Sequence, residues 1–445
     1  MLKNYLKIAL KVLKRNRFYT FVSLFGISFT LMVLMLSTAF IDNELGANRP
    51  LSNKDRILVV SGMGMKKWQR ETNTTIDTIY RNDSTILDTT IIETPIVGNS
   101  QSSSSSQLGY DFCKEHILPM QSPEMISLFV PQRQIEVYPN NARLELSTCM
   151  VDANYWKIFD FDFVEGQPFG ESSIENQSHH TVLTEEAAGK YFGAQDSYLN
   201  RELVWGHDVY KIVGIIKEPN TSSFVVQGDA FMPVTNLPDH ALNYGYGYFG
   251  GCNVALLAKD GASGESMTAE LKQIENNTEM KDGFDILYLW EKDITDLYAW
   301  PIIGSQDTRS GNKFLMILFG VLILFLIIPT FNLINLNITR ILERSSEIGV
   351  RKAFGARTDH LLIQFLFENI VLTFLGGLLG LVFTFFAMRW FNKAQILEGT
   401  HLEFNSTVFG ISLLITLFFG ICSGLFPAWK MAGKEIAVAI KNSRI

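Results

Sequence analysis

The sequence predicts a membrane protein with four transmembrane α-helices and a large α+β extracytoplasmic domain between helices 1 and 2. Of its 445 residues, 47% are hydrophobic and 33 are Phe, which is a high apolar content for a soluble domain. Four segments each hold about 20 or more mostly apolar residues, the length that a helix needs to cross roughly 30 Å of hydrocarbon. Burying four such segments inside a soluble protein would be difficult, so we favour the membrane interpretation.

The limits of the apolar segments set the expected boundaries. The first apolar segment has no charged residue between Phe18 and Ile41. This segment is longer than the ~7–15 apolar residues of a signal peptide, so we interpret it as an uncleaved anchor. In chain order we expect a cytoplasmic amphipathic N-terminal helix (1–17), transmembrane helix 1 (18–41), the extracytoplasmic domain (42–312), transmembrane helix 2 (313–338), a cytoplasmic coupling segment (339–358), transmembrane helix 3 (359–390), a short external loop (391–406), transmembrane helix 4 (407–428) and a cytoplasmic tail (429–445).

The distribution of charge predicts the orientation in the membrane. The first 17 residues contain six Lys or Arg and no Asp or Glu, and the segments that follow the second and fourth spans are also basic. Lys and Arg beside a span favour the cytoplasmic side, so we expect both termini in the cytoplasm. Residues 42–312 hold 20 Lys and Arg against 38 Asp and Glu. This acidic balance gives no support to nucleic-acid binding.

Residues 42–312 show patterns of both strands and helices, which together predict an α+β domain. Strands are predicted from DRILVV, HTVLT, VYKIVGII and NVALLAK, and helices from EEAAGKYFG, with Gly193 at its end, and MTAELKQIENN. Residues 71–109 are rich in Thr, Ser, Asp and Asn and include the low-complexity segment QSSSSSQ. Such a composition is typical of a mobile loop or insertion, which is what we expect there.

Motifs of nucleotide chemistry are absent from the sequence or stand in the wrong context. The chain contains no GxxxxGK[ST] loop, the motif with which P-loop proteins bind the phosphates of ATP. A GxGxxG pattern occurs at Gly245, Gly247 and Gly250, but it lies in an aromatic-rich segment and opens no recognisable helix. We therefore interpret it as a turn rather than as a dinucleotide site.

Metal, disulfide and catalytic chemistry also have little support. His179 and His180 are adjacent and lack a neighbouring motif of metal ligands, so we predict no metal site. Cys113, Cys149 and Cys252 lie in the predicted exterior domain. Three cysteines allow at most one internal disulfide, and the sequence leaves the pairing open. No catalytic residues are predicted, although a triad assembled only in space would escape this search.

The predicted spans contain small residues and one acid that point to helix packing. Gly376 and Gly380 form a GxxxG pattern in the third span, and Gly420 and Gly424 form another in the fourth. Glycines four residues apart let helix backbones approach closely in lipid. Glu368 is an acid within the third span. An intramembrane acid is a functional candidate, but we favour a structural role over ion relay because a single acid makes a poor proton path.

The segment ERSSEIGVRKAFGAR, residues 343–357, connects the second and third spans. Glu347 and Arg351 have the favourable i,i+4 order of an acid followed by a base, and Gly355 is suited to end a helix. These features predict a short amphipathic helix on the cytoplasmic face. The alternative, a solvated basic loop, is left open by these residues alone.

Several separated segments resemble one family. EIGVRKAFGAR and the following LLIQFLFENIVLTFLGGLLG resemble the signature of the MacB/FtsX-type permease family of ABC transporters. The N-terminal NYLKIALKVLKRNRFYTFVSLFGIS and the C-terminal GLFPAWKMAGKEIAVAIK resemble the ends of that family, although Ile436 stands where the family often has Pro. YWKIFDFDFVEGQPF, TVLTEEAAGKYFG and YKIVGIIKEPNTSSF resemble its MacB-like periplasmic domain. The resemblance covers nearly the whole chain and keeps the order of its parts.

The resemblance implies a non-catalytic permease subunit of a bacterial inner-membrane transporter, without a fused ATPase domain. Such a subunit would form a homodimer or heterodimer, bind a cytoplasmic ABC ATPase that holds ATP and Mg²⁺, and transmit movement to the exterior domain. A periplasmic adaptor is a further candidate partner, and this chain itself would hold no cofactor. The residues expected to contact the ATPase are Glu343, Glu347, Ile348, Gly349, Arg351, Lys352, Phe354, Gly355 and Ala356.

The expected activity is efflux or export from the periplasmic side. Two related alternatives are a lipoprotein-releasing permease and a permease that regulates a cell-wall hydrolase. A third alternative, from a different class, is an exterior enzyme or sensor that the spans merely anchor. That class predicts no dependence on a cytoplasmic ATPase.

Overall fold

The computed structural model divides into two compact units. A helical unit comprises Met1–Gly46 and Lys313–Ile445, and a sheet unit comprises Ala47–Asn312. The residues that the structure describes are 17–303 except 82, 83, 245–247, 263 and 281–283, the whole of 358–394, and, outside these ranges, 11, 13–15, 311, 313–321, 323, 324, 327, 331, 350, 354, 400–402, 405–407, 409–411, 413, 414, 417 and 418.

The described elements follow one another in chain order. The first is helix α1 (Arg17–Leu45). The strands of the sheet unit are β1 (Ile57–Arg81), β2 (Ser84–Leu108), β3 (Pro123–Val137), β4 (Leu144–Val151), β5 (Phe163–Gly166), β6 (His180–Thr184), β7 (Glu202–Trp205), β8 (Asp208–Ile216), β9 (Ala230–Pro233), β10 (Asn243–Tyr244), β11 (Phe249–Gly250), β12 (Asn253–Ala258) and β13 (Ile286–Asp293). Its helices are α2 (Tyr110–Phe112), α3 (Tyr155–Ile158), α4 (Glu171–Glu175), α5 (Glu185–Phe192), α6 (Asp239–Leu242), α7 (Glu265–Asn277) and α8 (Ile294–Ile303). The last is α9 (Thr358–Ala394).

Two of the described helices are long and apolar enough to cross a membrane. These segments are Thr20–Leu45 and Phe367–Ala394, and they overlap the first and third predicted spans. The described residues of the second predicted span between 313 and 321 are helical. Much of that span and of the fourth lies outside the described residues.

The sheet unit is built on one mixed sheet. Its strands follow the order β10-β11-β2-β1-β12-β3-β4-β9-β6-β8-β5, while β13 pairs with β1 and β7 pairs with β8. The pairs β4–β9 and β6–β8 are parallel, and the other strand pairs are antiparallel. The prediction of strands and helices mixed in one domain is therefore confirmed.

The short segments with alternating hydrophobicity form the strands that were predicted from them. HTVLT forms β6, VYKIVGII lies in β8 and NVALLAK contributes β12. The helix predicted from EEAAGKYFG is α5, which begins where the Thr184 side chain accepts a hydrogen bond from the Ala187 N–H and ends at Gly193, with φ of 74°. A capping hydroxyl and a left-handed glycine are the usual boundaries of such a helix.

The expectation of a mobile loop at 71–109 is wrong. This segment belongs to a long antiparallel hairpin in which β1 pairs with β2 from Met63↔Ser106 to Arg81↔Ser84. The serine tract lies opposite 63–67 of β1, and residues 63–66 of β1 also pair with β13. The composition was misleading because Thr and Ile are β-branched and favour strands, and because a partner strand can order a serine tract through the backbone alone.

The central strands of the sheet are buried on both faces, and neighbouring residues of a strand point to opposite sides. In β12, Val254 and Leu256 belong to one buried cluster, while Ala255 and Leu257 belong to a second. The second cluster is rich in aromatic rings and includes Tyr155, which is fully buried and donates a hydrogen bond from its hydroxyl to the Val225 carbonyl at 2.8 Å.

Asp152 connects strand β3 to the start of α3. Its carboxylate accepts hydrogen bonds from the Ser127 hydroxyl at 2.7 Å, the Leu128 N–H at 2.7 Å and the Tyr155 N–H at 2.9 Å. Burial raises the pKa of Asp152 to about 6, although these hydrogen bonds favour the charged form. Asp152 therefore takes up a proton in the folded protein at a higher pH than in the unfolded chain.

This shift predicts a stability that depends on pH. Because the pKa of Asp152 is higher in the folded than in the unfolded protein, proton binding by Asp152 stabilises the fold at low pH. This contribution is lost as the pH rises through about 6. From pH 7 to pH 5 we expect the unfolding free energy of the protein to rise by about 1.4 kcal/mol relative to Asp152→Asn, which cannot titrate. Urea unfolding of both purified chains, followed by tryptophan fluorescence at the two pH values, measures this difference. Equal pH dependence in the two chains would contradict the assignment.

Candidate functional site

The candidate site in the helical unit is the contact between α1 and α9. A Cβ atom added at Gly376 would lie 2.6 Å from Ile27 Cγ2, and one added at Gly380 would lie 2.8 Å from Leu31 Cδ2 and 3.0 Å from the Ser28 carbonyl oxygen. These distances are too short for a side chain. The two glycines of the third predicted span therefore let the backbones of α1 and α9 approach closely.

The contact continues along both helices at intervals of four residues. One turn beyond Gly380, Thr384 donates to the sulfur of Met35 at 3.6 Å, and one turn further Met388 packs with Ala39 in a buried cluster. The residue numbers rise together on the two helices, so α1 and α9 run in the same direction. The predicted orientation requires this common direction, because the first and third spans would both run from the cytoplasm to the exterior.

Polar contacts tie the chain beyond α9 to the end of α1. The Thr400 hydroxyl donates to Glu44 Oε1 at 2.8 Å, and both residues are buried. The Asn405 amide donates to Asp42 Oδ2 at 3.0 Å. No sequence motif indicated these contacts, because the residues are some 350 positions apart.

Glu368 lies one helical turn after Gln364 in α9 and is buried, with 3% of its surface exposed. It accepts a hydrogen bond from Gln364 Nε2 at 3.1 Å. A buried acid that is held by an amide on its own helix is compatible with a structural role. The choice between this role and ion relay stays a prediction.

Three residues of the predicted coupling segment are described, namely Val350, Phe354 and Thr358, the last of which begins α9. The Phe354 N–H donates to the Val350 carbonyl at 3.1 Å, as in a helical turn. The Phe354 side chain is 90% exposed. The other residues expected to contact the ATPase lie outside the described residues: Glu343, Glu347, Ile348, Gly349, Arg351, Lys352, Gly355 and Ala356.

The second pair of predicted packing glycines, Gly420 and Gly424, also lies outside the described residues. Leu413 is described, and its Cδ1 would lie 3.1 Å from a Cβ atom at Gly377. The helical unit also has a partly open apolar cavity of about 500 Å³, whose lining includes Phe40, Leu318 and Trp390.

The adjacent histidines of the sheet unit contact different neighbours. His179 stacks on Tyr210, and His180 Nδ1 lies 3.0 Å from the Ser173 hydroxyl. Within the described residues no group of three or more His, Cys, Asp or Glu could hold a metal ion. Gly245 and Gly247 lie outside the described residues, and Gly250 belongs to β11.

The three cysteines of the sheet unit are buried and form no disulfide. Burial raises the pKa of the Cys149 and Cys252 thiols to about 12, and it also raises that of Cys113. Buried thiols with a high pKa are poor nucleophiles. The pairing that the sequence left open is therefore not made in this structure.

Comparison with known proteins gives two family matches. Residues 20–274 match the family described as MacB-like periplasmic core domain, and residues 318–436 match the FtsX-like permease C-terminal family. Together they cover both units of the structure. The resemblance found in the sequence is thus confirmed.

Two curated relatives illustrate the range of the similarity. The ABC transporter permease YvrN of Bacillus subtilis is 26% identical over 299 residues, which are 65% of this chain and 69% of the relative. The macrolide export ATP-binding/permease protein MacB of Escherichia coli is 22% identical over 297 residues. This match covers 65% of the chain but only 42% of MacB.

Two solved structures resemble parts of the chain. A domain of a putative permease from Porphyromonas gingivalis has a TM-score of 0.36 and 16% identity, and the match covers 54% of this chain and 92% of that one. The periplasmic region of MacB from Actinobacillus actinomycetemcomitans has a TM-score of 0.34 and 10% identity, covering 55% and 94%.

The contact between α1 and α9 predicts that larger residues at the glycines destabilise the helical unit. For Gly376→Leu and Gly380→Leu we expect a loss of about 1–3 kcal/mol, because overpacking forces the neighbouring atoms to move. The thermal midpoint of the detergent-purified chain, read by size-exclusion chromatography after heating, should fall in both variants.

The matched control is Gly320→Leu, because a Cβ atom at Gly320 has no atom within 4 Å among the described residues. We expect its thermal midpoint to stay close to that of the wild type. An equal loss in all three variants would mean that the effect comes from the change of residue type rather than from the contact.

Proposed function

The chain belongs to the family of ABC transporter permeases that combine a MacB-like periplasmic core domain with an FtsX-like permease domain, and from this premise we propose that it transmits mechanical movement. In this proposal, ATP hydrolysis by a separate cytoplasmic ATPase moves the coupling segment, and the movement passes through the spans to the periplasmic domain. The transport step that we propose is efflux or export of a substrate from the periplasmic side.

The contact between α1 and α9 is the observation that supports this proposal most. The coupling segment leads directly into α9, which begins at Thr358, four residues after Phe354. Gly376 and Gly380 in α9 pack closely against α1. The chain then passes from the end of α1 at Leu45 into the sheet unit. A displacement of the start of α9 therefore has a continuous, tightly packed route to the chain that enters the sheet unit.

The exposed side chain of Phe354 supports the coupling segment as a binding surface. A phenyl ring that is 90% exposed is costly to leave in water, and aromatic residues are common anchors in protein interfaces. The Phe354 ring would give the partner ATPase one apolar anchor. The charged residues of the same segment, Glu347, Arg351 and Lys352, would form a rim around it.

The proposed topology has four spans with both termini in the cytoplasm of a bacterial cell, and the chain would be a multi-pass inner-membrane protein. The positions of Lys and Arg support this orientation, as does the common direction of α1 and α9. We further propose that two permease chains, like or unlike, assemble with two ATPase subunits, which bind ATP and Mg²⁺. A periplasmic adaptor would complete an exporter of this kind.

Two related functions are second candidates: release of lipoproteins and control of a cell-wall hydrolase. The sheet unit of Ala47–Asn312 is large for the hydrolase-regulating type, so lipoprotein release is the stronger of the two. An anchored sensor or enzyme is the least supported, because it gives no role to the exposed Phe354 beside a charged segment.

We expect Phe354→Ala and Arg351→Glu to weaken capture of the ATPase, since the first removes the apolar anchor and the second reverses a charge. The measurement is affinity purification from mild detergent in the native host, followed by quantitative mass spectrometry of the ATPase that is recovered. A loss of about tenfold corresponds to 1.4 kcal/mol, the scale of an interface anchor.

Tyr138→Ala is the control, because Tyr138 is an exposed aromatic residue of the sheet unit, with 58% of its surface exposed. It should leave ATPase recovery unchanged. Recovery at the wild-type level in both coupling variants would refute this docking surface. Absence of any ATPase from the wild-type preparation in several detergents would favour the anchored-sensor class.

A further inference from the structure

A small polar pocket lies on the sheet unit, and all of its lining residues belong to that unit. It has a volume of about 380 Å³. The loop that follows β5, the start of α4, strand β6, the turn before β7 and strand β8 all contribute to its wall. Polar residues from these separate segments line one space, which is the usual arrangement of a small-ligand site.

The pocket is unusual for its charge. The unit that contains it is strongly acidic, yet no Asp or Glu is among the described residues that line it. Lys211 and His180 are direct neighbours in the pairing of β8 with β6, and both line the pocket. The pocket is therefore a basic region in an acidic unit.

The Lys211 ammonium group is available for a ligand. Glu202 is its neighbour on the other side, in the pairing of β7 with β8. No ion pair joins Glu202 to Lys211, and no other carboxylate within the described residues pairs with this lysine. Lys211 is exposed, so it can reach toward a bound group without breaking an existing contact.

His180 is held in an orientation that suits a hydrogen-bond donor. Its Nδ1 lies 3.0 Å from the hydroxyl of Ser173, which is itself buried with 6% of its surface exposed. Burial and, to a smaller extent, the charge of Lys211 lower the pKa of His180, so the ring is neutral at pH 7. When the Ser173 hydroxyl donates to Nδ1, the ring proton is on Nε2 and is available as a donor.

Two side-chain amides complete the set of donors. Gln167 and Asn200 line the pocket, and neither amide group has a hydrogen-bond partner in the described part of the chain. Their backbones are fixed to β8, since the Gln167 N–H donates to the Val213 carbonyl at 3.2 Å and the Asn200 N–H to the Ile212 carbonyl at 2.9 Å. Asn200 also has a left-handed backbone, with φ of 62°, a conformation that is found where the structure requires it.

We propose that this pocket binds a compact oxyanion, either a phosphate or a carboxylate group. The ammonium group of Lys211 supplies the positive charge, and His180, Gln167 and Asn200 supply hydrogen-bond donors around it. Charge-assisted hydrogen bonds from several convergent donors are the ordinary means of holding such a group. This proposal is independent of the transport function, since it does not use the helical unit.

Isothermal titration calorimetry of the detergent-purified full chain tests the proposal. Sodium phosphate, sodium acetate and glycerol 3-phosphate are titrated separately at constant ionic strength and pH 7. We expect one site for phosphate, with the affinity reduced about tenfold or more in Lys211→Gln. Tighter binding of glycerol 3-phosphate than of inorganic phosphate would identify the group as part of a larger phosphate ester, whereas the reverse would identify the free ion.

Lys217→Gln is the matched control, because Lys217 is an exposed lysine that follows the last residue of β8 and does not line the pocket. It should bind phosphate like the wild type. Equal weakening in Lys211→Gln and Lys217→Gln would overturn the proposal, because it would show a general charge effect. Absence of binding heat for all three ligands at millimolar concentration would overturn it as well.

Discussion

The close approach of α1 and α9 is the contact on which the mechanical interpretation depends. In lipid the hydrophobic effect does not drive helices together, so their association relies on close packing. At Gly376 and Gly380 the side chains of Ile27 and Leu31 occupy the space where a Cβ atom would be. Sliding one helix past the other would drive these side chains into backbone atoms. The two helices are therefore expected to move together, as rigid packed elements do.

A second constraint acts at the other end of the same pair. The hydrogen bond from Thr400 to the buried carboxylate of Glu44 joins the segment after α9 to the end of α1. A carboxylate that is removed from water needs its partner, because an unsatisfied buried group is costly. Glycine packing in the middle and a buried polar contact at the end restrain different motions, namely sliding and separation. In the sheet unit that follows α1, side chains on both faces of the central strands are buried.

The sequence predicted those elements of the fold whose structure is determined by the local residue pattern. The alternation in 209–216 and 253–259 predicted strands β8 and β12, and the glycine at 193 predicted the end of α5. The β1–β2 hairpin was missed, because a Ser- and Thr-rich composition indicates a loop unless the partner strand is known. The GxxxG pattern in the third span could be recognised as a packing motif, but no sequence rule says that its partner is α1. The pocket around Lys211 was also missed, since it combines residues from segments that are only brought together by the sheet.

In a strongly acidic unit, an oxyanion binds only if its attraction to the residues of the pocket exceeds its repulsion by the more distant carboxylates. At physiological ionic strength charges farther than about 8 Å apart in solvent are largely screened, so the distant carboxylates of the unit contribute little within the pocket. Lys211 and the neutral donors beside it act at contact distance and in a partly enclosed space, where electrostatic interactions are stronger than in open water. The carboxylate of Glu202, on the neighbouring strand, opposes an anion. Lys211 pairs with His180 on one side and with Glu202 on the other. The attraction of the lysine and the repulsion of the glutamate therefore act at the same row of the sheet, and their difference sets how tightly an anion is held.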